Sequence, residues 1–211
     1  MRLGLFLILP QPPGTSQRQV FATALEDAAA AERLGFDSVW VTEHHGSAYG
    51  LSAAPSVVAA AIAARTTRVA IGYAVIVTPL HAPVRLAEEI ATVDQLSGGR
   101  VIAGFGPGYS PAEFRTMGAE FASRHRRHRT TVDAVLGQWR RGGGVRPRQA
   151  PHPPVAVTAA AEEAASWAAR RGFDLLTLGD ERHTARLLQA YRRAPGPAAG
   201  GGRPGRFCLL R

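Results

Sequence analysis

The sequence predicts an α/β barrel of parallel βαβ units, because strand-like apolar runs alternate with helical patterns along the chain. Leu3 to Leu9 is one continuous apolar run and Ser38 to Thr42 is another, as is typical of strands buried on both faces. The second run passes directly into Glu43, His44 and His45. In barrels of this class the chemistry lies where the strands end. These three residues are therefore the candidate catalytic group; the alternative is that they only cap a strand and begin a polar loop.

Six strands and six helices follow from the hydrophobic periodicity. The strands are predicted at residues 3–9, 38–42, 68–77, 101–105, 155–158 and 173–178, and residues 206–210 could form a seventh. The helices are predicted at about residues 16–34, 53–65, 84–96, 120–141, 162–171 and 184–193. An open doubly wound sheet is the competing architecture. The first turn, Pro10 to Gly14, lacks the Gly-rich phosphate fingerprint that such sheets use for dinucleotides.

Length and composition indicate one globular domain. The chain has 211 residues, of which 45% are hydrophobic, whereas a complete eight-fold barrel usually takes about 250 residues. We expect the domain to span residues 1–193 and a Gly/Pro-rich, flexible tail to span 194–211, with one last strand at most. Cys208 is the only cysteine, so neither a disulfide nor a cysteine-based metal site is expected. No signal peptide or membrane span is recognisable, which predicts a cytoplasmic protein.

The formal net charge is +9, and every basic residue other than histidine is arginine. A basic balance can indicate nucleic-acid binding. The densest cluster runs from Arg124 to Arg129 and contains no aromatic residue that could stack on bases. We therefore interpret this cluster as a solvated helix face and expect no nucleic-acid partner.

Five stretches of the chain resemble bacterial luciferase and the wider luciferase-like, flavin-dependent monooxygenases. The stretches are Gly35–His45, Tyr73–Pro79, Ala82–Glu89, Asp94–Arg100 and Trp167–Gly172. The resemblance is continuous over roughly the first 140 residues and returns from Pro153 to about Arg193. It implies a TIM-barrel-like (β/α)8 fold, which we expect to be incomplete at the C-terminus, with six or seven strands.

The resemblance also implies an activity. Family members bind reduced FMN (FMNH2) from a separate flavin reductase and insert one oxygen atom from O2 into a small organic substrate through a flavin C4a-peroxide. The residue that matches His44 is catalytic in luciferase, and we expect Glu43 and His45 to orient it. The cofactor-binding residues implied or suggested by loop position are Ala74 and Val75, joined by a non-proline cis bond under the flavin ring, with Gly106, Pro107, Gly108, Thr158 and Ala161.

The sequence departs from the luciferase pattern at the expected phosphate site. Pro107 stands where luciferase has an arginine, and the run from Thr158 to Ala164 has lost hydroxyl residues and gained Glu162 and Glu163. Backbone N–H groups at that helix start can bind phosphate, but the two glutamates repel it. A non-catalytic luciferase-like flavoprotein or partner subunit is therefore the alternative function, and a deazaflavin-dependent oxidoreductase is a third.

The resemblance finally implies a dimer, with a second copy or with a luciferase-like subunit. Family members dimerise through the helices that follow the second and third strands. These helices correspond to residues 53–65 and 84–96, and both are rich in apolar residues. The contact is predicted around six of them: Val57, Val58, Ile62, Leu86, Ile90 and Val93.

Overall fold

The computed structural model describes residues 2–196 and the backbone of residues 207–209. The strands are β1 (Gly4–Leu7), β2 (Ser38–Val41), β3 (Ala70–Tyr73), β4 (Ile76–Val77), β5 (Val101–Gly106), β6 (Val155–Thr158), β7 (Asp174–Thr177) and β8 (Phe207–Leu209). The helices are α1 (Gln17–Arg33), α2 (Pro55–Ala63), α3 (Pro83–Leu96), α4 (Pro111–Thr116), α5 (Arg124–Arg141), α6 (Glu162–Arg170) and α7 (Glu181–Arg193), with a 3₁₀ turn at Thr78–Leu80.

The described strands form one parallel sheet in the order β1-β2-β3-β5-β6-β7-β8, with β4 beside β5. The predicted alternation of strands and helices is confirmed. A seventh strand position is also confirmed, because Leu175 of β7 pairs with Phe207 of β8. The rest of the predicted flexible tail, residues 197–206 and 210–211, lies outside the described residues.

The third predicted strand, residues 68–77, is two strands. The peptide bond between Ala74 and Val75 is cis, as the resemblance implies, and it separates β3 from β4. β3 pairs with the start of β5, whereas β4 pairs with its end. The Tyr73 carbonyl occupies the space that a Cβ atom at Gly104 would need, so a residue without a side chain is required on β5.

The region between β5 and the long helix also differs from the prediction. The long helix begins at Arg124 rather than near residue 120, and a short helix, α4, precedes it. Ser110 caps α4 by accepting a hydrogen bond from the Glu113 N–H at 3.4 Å, and Pro111 occupies the first helical position. The Ser-Pro pair was therefore the sequence signal for this helix.

Apolar side chains pack in two clusters. The larger cluster joins the strands to the helices and includes Val39, Ile62 and Leu136. The smaller one contains no helical residue: Trp40, Ala74, Ala156 and Leu176 are buried there, with Phe6, Val75 and Ile102 packed against them. This second cluster therefore lies on the face of the sheet away from the helices, beneath the ends of the strands.

The residues predicted to form a dimer contact are mostly core residues of the chain itself. Ile62 and Ile90 are fully buried, and Val58, Leu86 and Val93 are at most 8% exposed. Of the six, only Val57 is largely exposed. The choice of contact residues was wrong, because the inner faces of α2 and α3 pack on the sheet, and Ile62→Arg would disrupt the fold. No helix in the described part of the chain is long and apolar enough to cross a membrane.

Candidate active site

The end of β2 carries His44 to the rim of an open cleft. His44 is 7% exposed and lines a cavity of about 490 Å³ between the loop after β1, the start of α1 and the loop after β2. Its Nδ1 atom lies 3.0 Å from Glu113 Oε1. Its Nε2 atom has no hydrogen-bond partner among the described residues. One ring nitrogen is thus held by a carboxylate and the other is free to meet a ligand.

Glu113 is the group that orients His44, and sequence analysis missed it. It lies in the unpredicted helix α4 and is 9% exposed. A buried carboxylate beside an imidazole fixes the ring's orientation and favours the proton on the facing nitrogen. The expectation that Glu43 and His45 orient His44 is wrong, because both point to other partners.

Glu43 instead binds two other histidines. Its side chain is fully buried, and Oε1 lies 2.7 Å from His45 Nε2 and 2.9 Å from His81 Nε2. Its other oxygen, Oε2, accepts a hydrogen bond from the Val77 N–H at 2.8 Å. Glu43 therefore joins the loop after β2 to β4, the strand that follows the cis peptide.

The charges of this second cluster support one another. Burial on its own would raise the pKa of the Glu43 carboxyl, but hydrogen bonds from His45 and His81, the charge of His81 and the Val77 N–H together lower it. The hydrogen bond to Glu43 raises the pKa of His45, against the effect of burial. The cluster thus favours the ionised form of Glu43 and the protonated form of His45.

A second part of the site lies at the ends of β4, β5 and β6. A Cβ atom at Gly106 would lie 2.5 Å from Val75 Cγ2 and 2.8 Å from Thr158 Oγ1, so these three predicted cofactor-binding residues are neighbours. Gly108 has a φ of +76°, in the left-handed region that favours glycine, and a Cβ atom there would lie 2.7 Å from Phe114. The packing on either side of Pro107 therefore leaves no room for a side chain, which requires glycine at both positions.

Ala161 lies apart from this group. It precedes α6 without a side-chain cap and lines a separate cavity of about 140 Å³ with Glu162, His183 and Arg186. Neither Ala74 nor Val75 lines the cleft at His44. The structure therefore brings Val75, Gly106 and Thr158 together, whereas Ala161 lines a different cavity.

The basic cluster at residues 124–129 is not a uniformly solvated face. His128 is 5% exposed, and its Nδ1 lies 2.8 Å from Thr78 Oγ1, which in turn donates to the Gly106 carbonyl at 3.3 Å. Burial, with the charges of His125 and Arg129, lowers the pKa of His128 to about 4. His128 is therefore a neutral residue that supports the loop after β5.

Arg124 also turns inward. Its guanidinium lies 3.9 Å from the Phe121 ring centroid, and its buried Nε atom has no hydrogen-bond partner among the described residues. Phe121 packs on Phe114, which lies against Gly108. The prediction of a solvated helix face is wrong for His128 and Arg124. A run made only of basic residues has no apolar positions that would mark the inner face of the helix.

The comparisons with known proteins identify the family. A family model described as luciferase-like monooxygenase matches residues 1–206. The chain belongs to this family. An uncharacterised protein of Sinorhizobium fredii, y4wF, is 31% identical over 93% of this chain and 61% of its own length. The alkanal monooxygenase alpha chain of Photorhabdus luminescens is 38% identical over 57% of this chain and 33% of its own length.

Solved structures of the same class support the fold. Monooxygenase RslO1 from Streptomyces bottropensis has a TM-score of 0.86 and 30% identity over 92% of this chain and 65% of its own. The oxygenating constituent of 3,6-diketocamphane monooxygenase from Pseudomonas putida, solved with FMN, has a TM-score of 0.84 at 21% identity, over 94% of this chain and 64% of its own. An F420-dependent secondary alcohol dehydrogenase has a TM-score of 0.77 at 22% identity, over 99% of this chain and 68% of its own. The sheet is thus a half-barrel of the luciferase-like TIM-barrel type. The chain covers 61% of the length of y4wF and 65% of RslO1, but only 33% of the alkanal monooxygenase alpha chain.

Proposed function

We propose that the chain is the flavin-binding part of a two-component monooxygenase that uses reduced FMN. The observation that carries the proposal is the buried His44–Glu113 pair, with the free His44 nitrogen beside an open cleft. A histidine whose orientation is fixed by a carboxylate is suited to giving and taking protons near neutral pH. The family assignment supports this interpretation.

The residues at the ends of β4, β5 and β6 fit a flat cofactor with an anionic group. The absence of a side chain at Gly106 lets Val75 and Thr158 pack directly against its backbone, and the buried Arg124 Nε provides an unpartnered donor. We propose that Val75 supports the flavin ring and that Arg124 replaces the arginine missing at Pro107 as the phosphate ligand. A charged donor with an anionic acceptor forms a strong hydrogen bond.

One of the two glutamates near the expected phosphate site, Glu163, is paired with an arginine. Arg129 forms an ion pair with Glu163, and this hydrogen bond lowers the pKa of the Glu163 carboxyl. Arg129 also lies 5.4 Å from the Trp167 ring centroid. The repulsion of a phosphate group expected at the start of α6 therefore comes mainly from Glu162.

Bound reduced FMN would supply the two electrons with which O2 is split, one oxygen atom entering the organic substrate and the other leaving as water. In this scheme His44 moves a proton at the reacting oxygen through Nε2, and Glu113 holds the ring in position. Glu43, with His45 and His81, fixes the β4 segment next to the flavin. A separate reductase would supply the cofactor, and a dimer with a second copy or a related subunit remains part of the proposal.

A non-catalytic flavoprotein or partner subunit is the second candidate. Pro107 and Glu162 favour it, because the first removes a phosphate ligand and the second adds a negative charge at the start of α6. His44 and its carboxylate partner favour the enzyme. The two functions differ in whether oxygen is transferred to an organic molecule.

The test is oxygen transfer from isotopically labelled O2. The chain is mixed with photoreduced FMN and a panel of neutral aldehydes and ketones, and products are analysed by mass spectrometry. We expect one labelled oxygen atom per product, and His44→Ala should lower the rate about 10²-fold with an unchanged melting temperature, the usual range for a proton-transfer group. Flavin binding without labelled product from any member of the panel would support the non-catalytic alternative, and an unchanged rate in His44→Ala would remove His44 from the mechanism.

A further inference from the structure

Apart from His44, the cleft is lined by uncharged residues, about half of which are small. Its lining is Gln11, Gln17, Phe21, His44, Gly46, Ser47, Ala48, Gly50, Leu51 and Ala53. His44 is the only ionisable residue in this set. A volume of about 490 Å³ is within the range of sites that bind small organic molecules.

Two tyrosines from different loops flank the His44 ring. Tyr49 follows β2, and its ring centroid lies 4.8 Å from that of His44 at an interplanar angle of 80°. Tyr109 follows β5, and its centroid lies 6.2 Å away at 74°. Both side chains are more than half exposed, at 54% and 67%. Both rings therefore meet the same imidazole, one from each loop.

Tyr49 and Tyr109 do not line the cleft itself; they adjoin it at the His44 ring, which does. Phe21 on α1 and Met117 after α4 are also exposed. A Cβ atom at Gly46 would lie 3.3 Å from Thr116, so the end of α4 adjoins the cleft lining. Four exposed apolar or aromatic side chains thus lie in or next to this cleft, which favours a ligand with an apolar surface.

We propose that this cleft takes a neutral, planar aromatic substrate whose ring lies against Tyr49 and Tyr109 and whose carbonyl or hydroxyl group lies at His44. That this ligand is oxidised rests on the proposed function; that the cleft binds it does not. Aromatic rings attract one another beyond simple burial. A carboxylate or sulfonate would be desolvated here without a cationic partner, which is costly.

The glutamines give the cleft its polar contacts. Gln11 donates its side-chain amide to the Thr15 carbonyl at 2.9 Å, which leaves its amide oxygen as an acceptor toward the cleft. Gln17 is exposed and has no hydrogen-bond partner among the described residues. An amide can donate to a carbonyl and accept from a hydroxyl. The polar groups therefore suit an uncharged ketone, aldehyde or phenol.

The test compares three probes on the flavin-free chain by isothermal titration calorimetry. The probes are 2-acetylnaphthalene, its anionic counterpart 2-naphthoate, and the aliphatic ketone 2-decanone. We expect 2-acetylnaphthalene to bind roughly 10-fold more tightly than 2-naphthoate, because the charge must be buried unpaired. The chain's net charge of +9 attracts anions generally, so the expected preference for the neutral probe runs against the overall electrostatic attraction. The naphthalene ketone should also bind more tightly than 2-decanone.

Variants locate the binding. Tyr49→Ala and Tyr109→Ala should each weaken 2-acetylnaphthalene binding about 2- to 10-fold, the range measured for aromatic pairs, and the Phe variants should retain it. Ser47→Trp, which fills the cleft from an exposed position, should abolish binding. Leu34→Ala, an exposed apolar residue at the opposite end of the sheet, is the control and should have no effect.

The inference is overturned if 2-acetylnaphthalene shows no saturable binding up to its solubility limit, or if 2-naphthoate or 2-decanone binds with equal or higher affinity. It is also overturned if the Ser47→Trp variant has an unchanged melting temperature and still binds 2-acetylnaphthalene with the affinity of the unmodified chain. These outcomes do not depend on flavin. Probe binding without oxygen transfer would refute the proposed function while leaving the ligand class intact. Oxygen transfer to substrates that do not compete with the probe would support the proposed function and refute the ligand class.

Discussion

The two ends of the sheet both concentrate charged residues, but they use them differently. At the N-terminal ends of the strands, the charges bind backbone. Both carboxylate oxygens of Glu32 accept N–H groups from Thr67, and Oε2 also accepts those of Arg68 and Val69. Despite the opposing effect of burial, these hydrogen bonds lower the pKa of Glu32 to about 2.

Arg100 and Asp94 also form hydrogen bonds with backbone groups at the N-terminal ends of the strands. Arg100 donates to the carbonyls of Ala63, Thr66, Val69 and Ser97 and to the Thr66 hydroxyl. Asp94 is fully buried and accepts from the backbone and side chain of Gln149. The Asp94–Arg100 stretch, one of the segments of family resemblance, therefore joins α2, α3 and the segment before β6.

At the C-terminal ends, carboxylates hold imidazoles instead. Glu113 binds His44, and Glu43 binds His45 and His81. The first of these pairs borders the cleft. A charge saturated by backbone groups stabilises the fold, whereas a carboxylate–imidazole pair beside a cleft retains a nitrogen for chemistry. This difference distinguishes function from structure better than the density of charge.

The largest predicted effect is on stability, at the N-terminal end. Arg100→Met removes a charged donor from five acceptors and leaves several buried carbonyls unpaired, so the free energy of unfolding should fall by about 3 kcal/mol. Urea denaturation measures it. The matched control is Arg85→Met, which breaks an exposed ion pair to Glu89, four residues along α3. The control should leave the stability almost unchanged, because exposed ion pairs contribute little; equal losses in both variants would contradict the structural role of Arg100.

A pH effect of similar size is expected at His128. Its pKa in the folded state is about 4, below the ordinary value of 6.5. Between these values the unfolded chain binds more protons, so stability is complete above pH 6.5 and is lost as the pH falls toward 4, by roughly 3 kcal/mol. His128→Asn keeps a donor for Thr78 and should flatten this part of the stability profile in urea titrations. An unchanged slope would show that other groups cause the acid sensitivity.

The smallest predicted effect separates orientation from chemistry. Glu113→Gln keeps an acceptor near His44 Nδ1 but removes the charge, so turnover should fall about 10-fold, less than in His44→Ala. The dissociation constant for reduced FMN should not change. Glu120→Gln, an exposed glutamate beyond α4, is the control. Weaker flavin binding in Glu113→Gln would indicate that Glu113 belongs to the cofactor site rather than to the His44 pair.

The sequence predicted the fold better than it predicted the contacts within the site. Alternating periodicity located the strands and placed His44 at the end of β2, because strand order and strand ends are local properties. The partners of His44 and Glu43 come from residues 113 and 81, which only the three-dimensional packing brings close. Glu113 was missed because α4 has six residues, too few for a periodic pattern. Arg124 and His128 were misread because an all-basic run conceals which residues face inward.

The most direct test of the central claim is an anaerobic titration of the chain with reduced FMN. The account predicts saturable binding of one flavin per chain, weakened about 10-fold or more in Arg124→Gln, which removes a charge-assisted hydrogen bond. Arg127→Gln, on the exposed side of the same helix, should bind as the unmodified chain does. Absence of saturable binding, or equal affinity in both variants, would contradict a flavin site at the C-terminal ends of the strands.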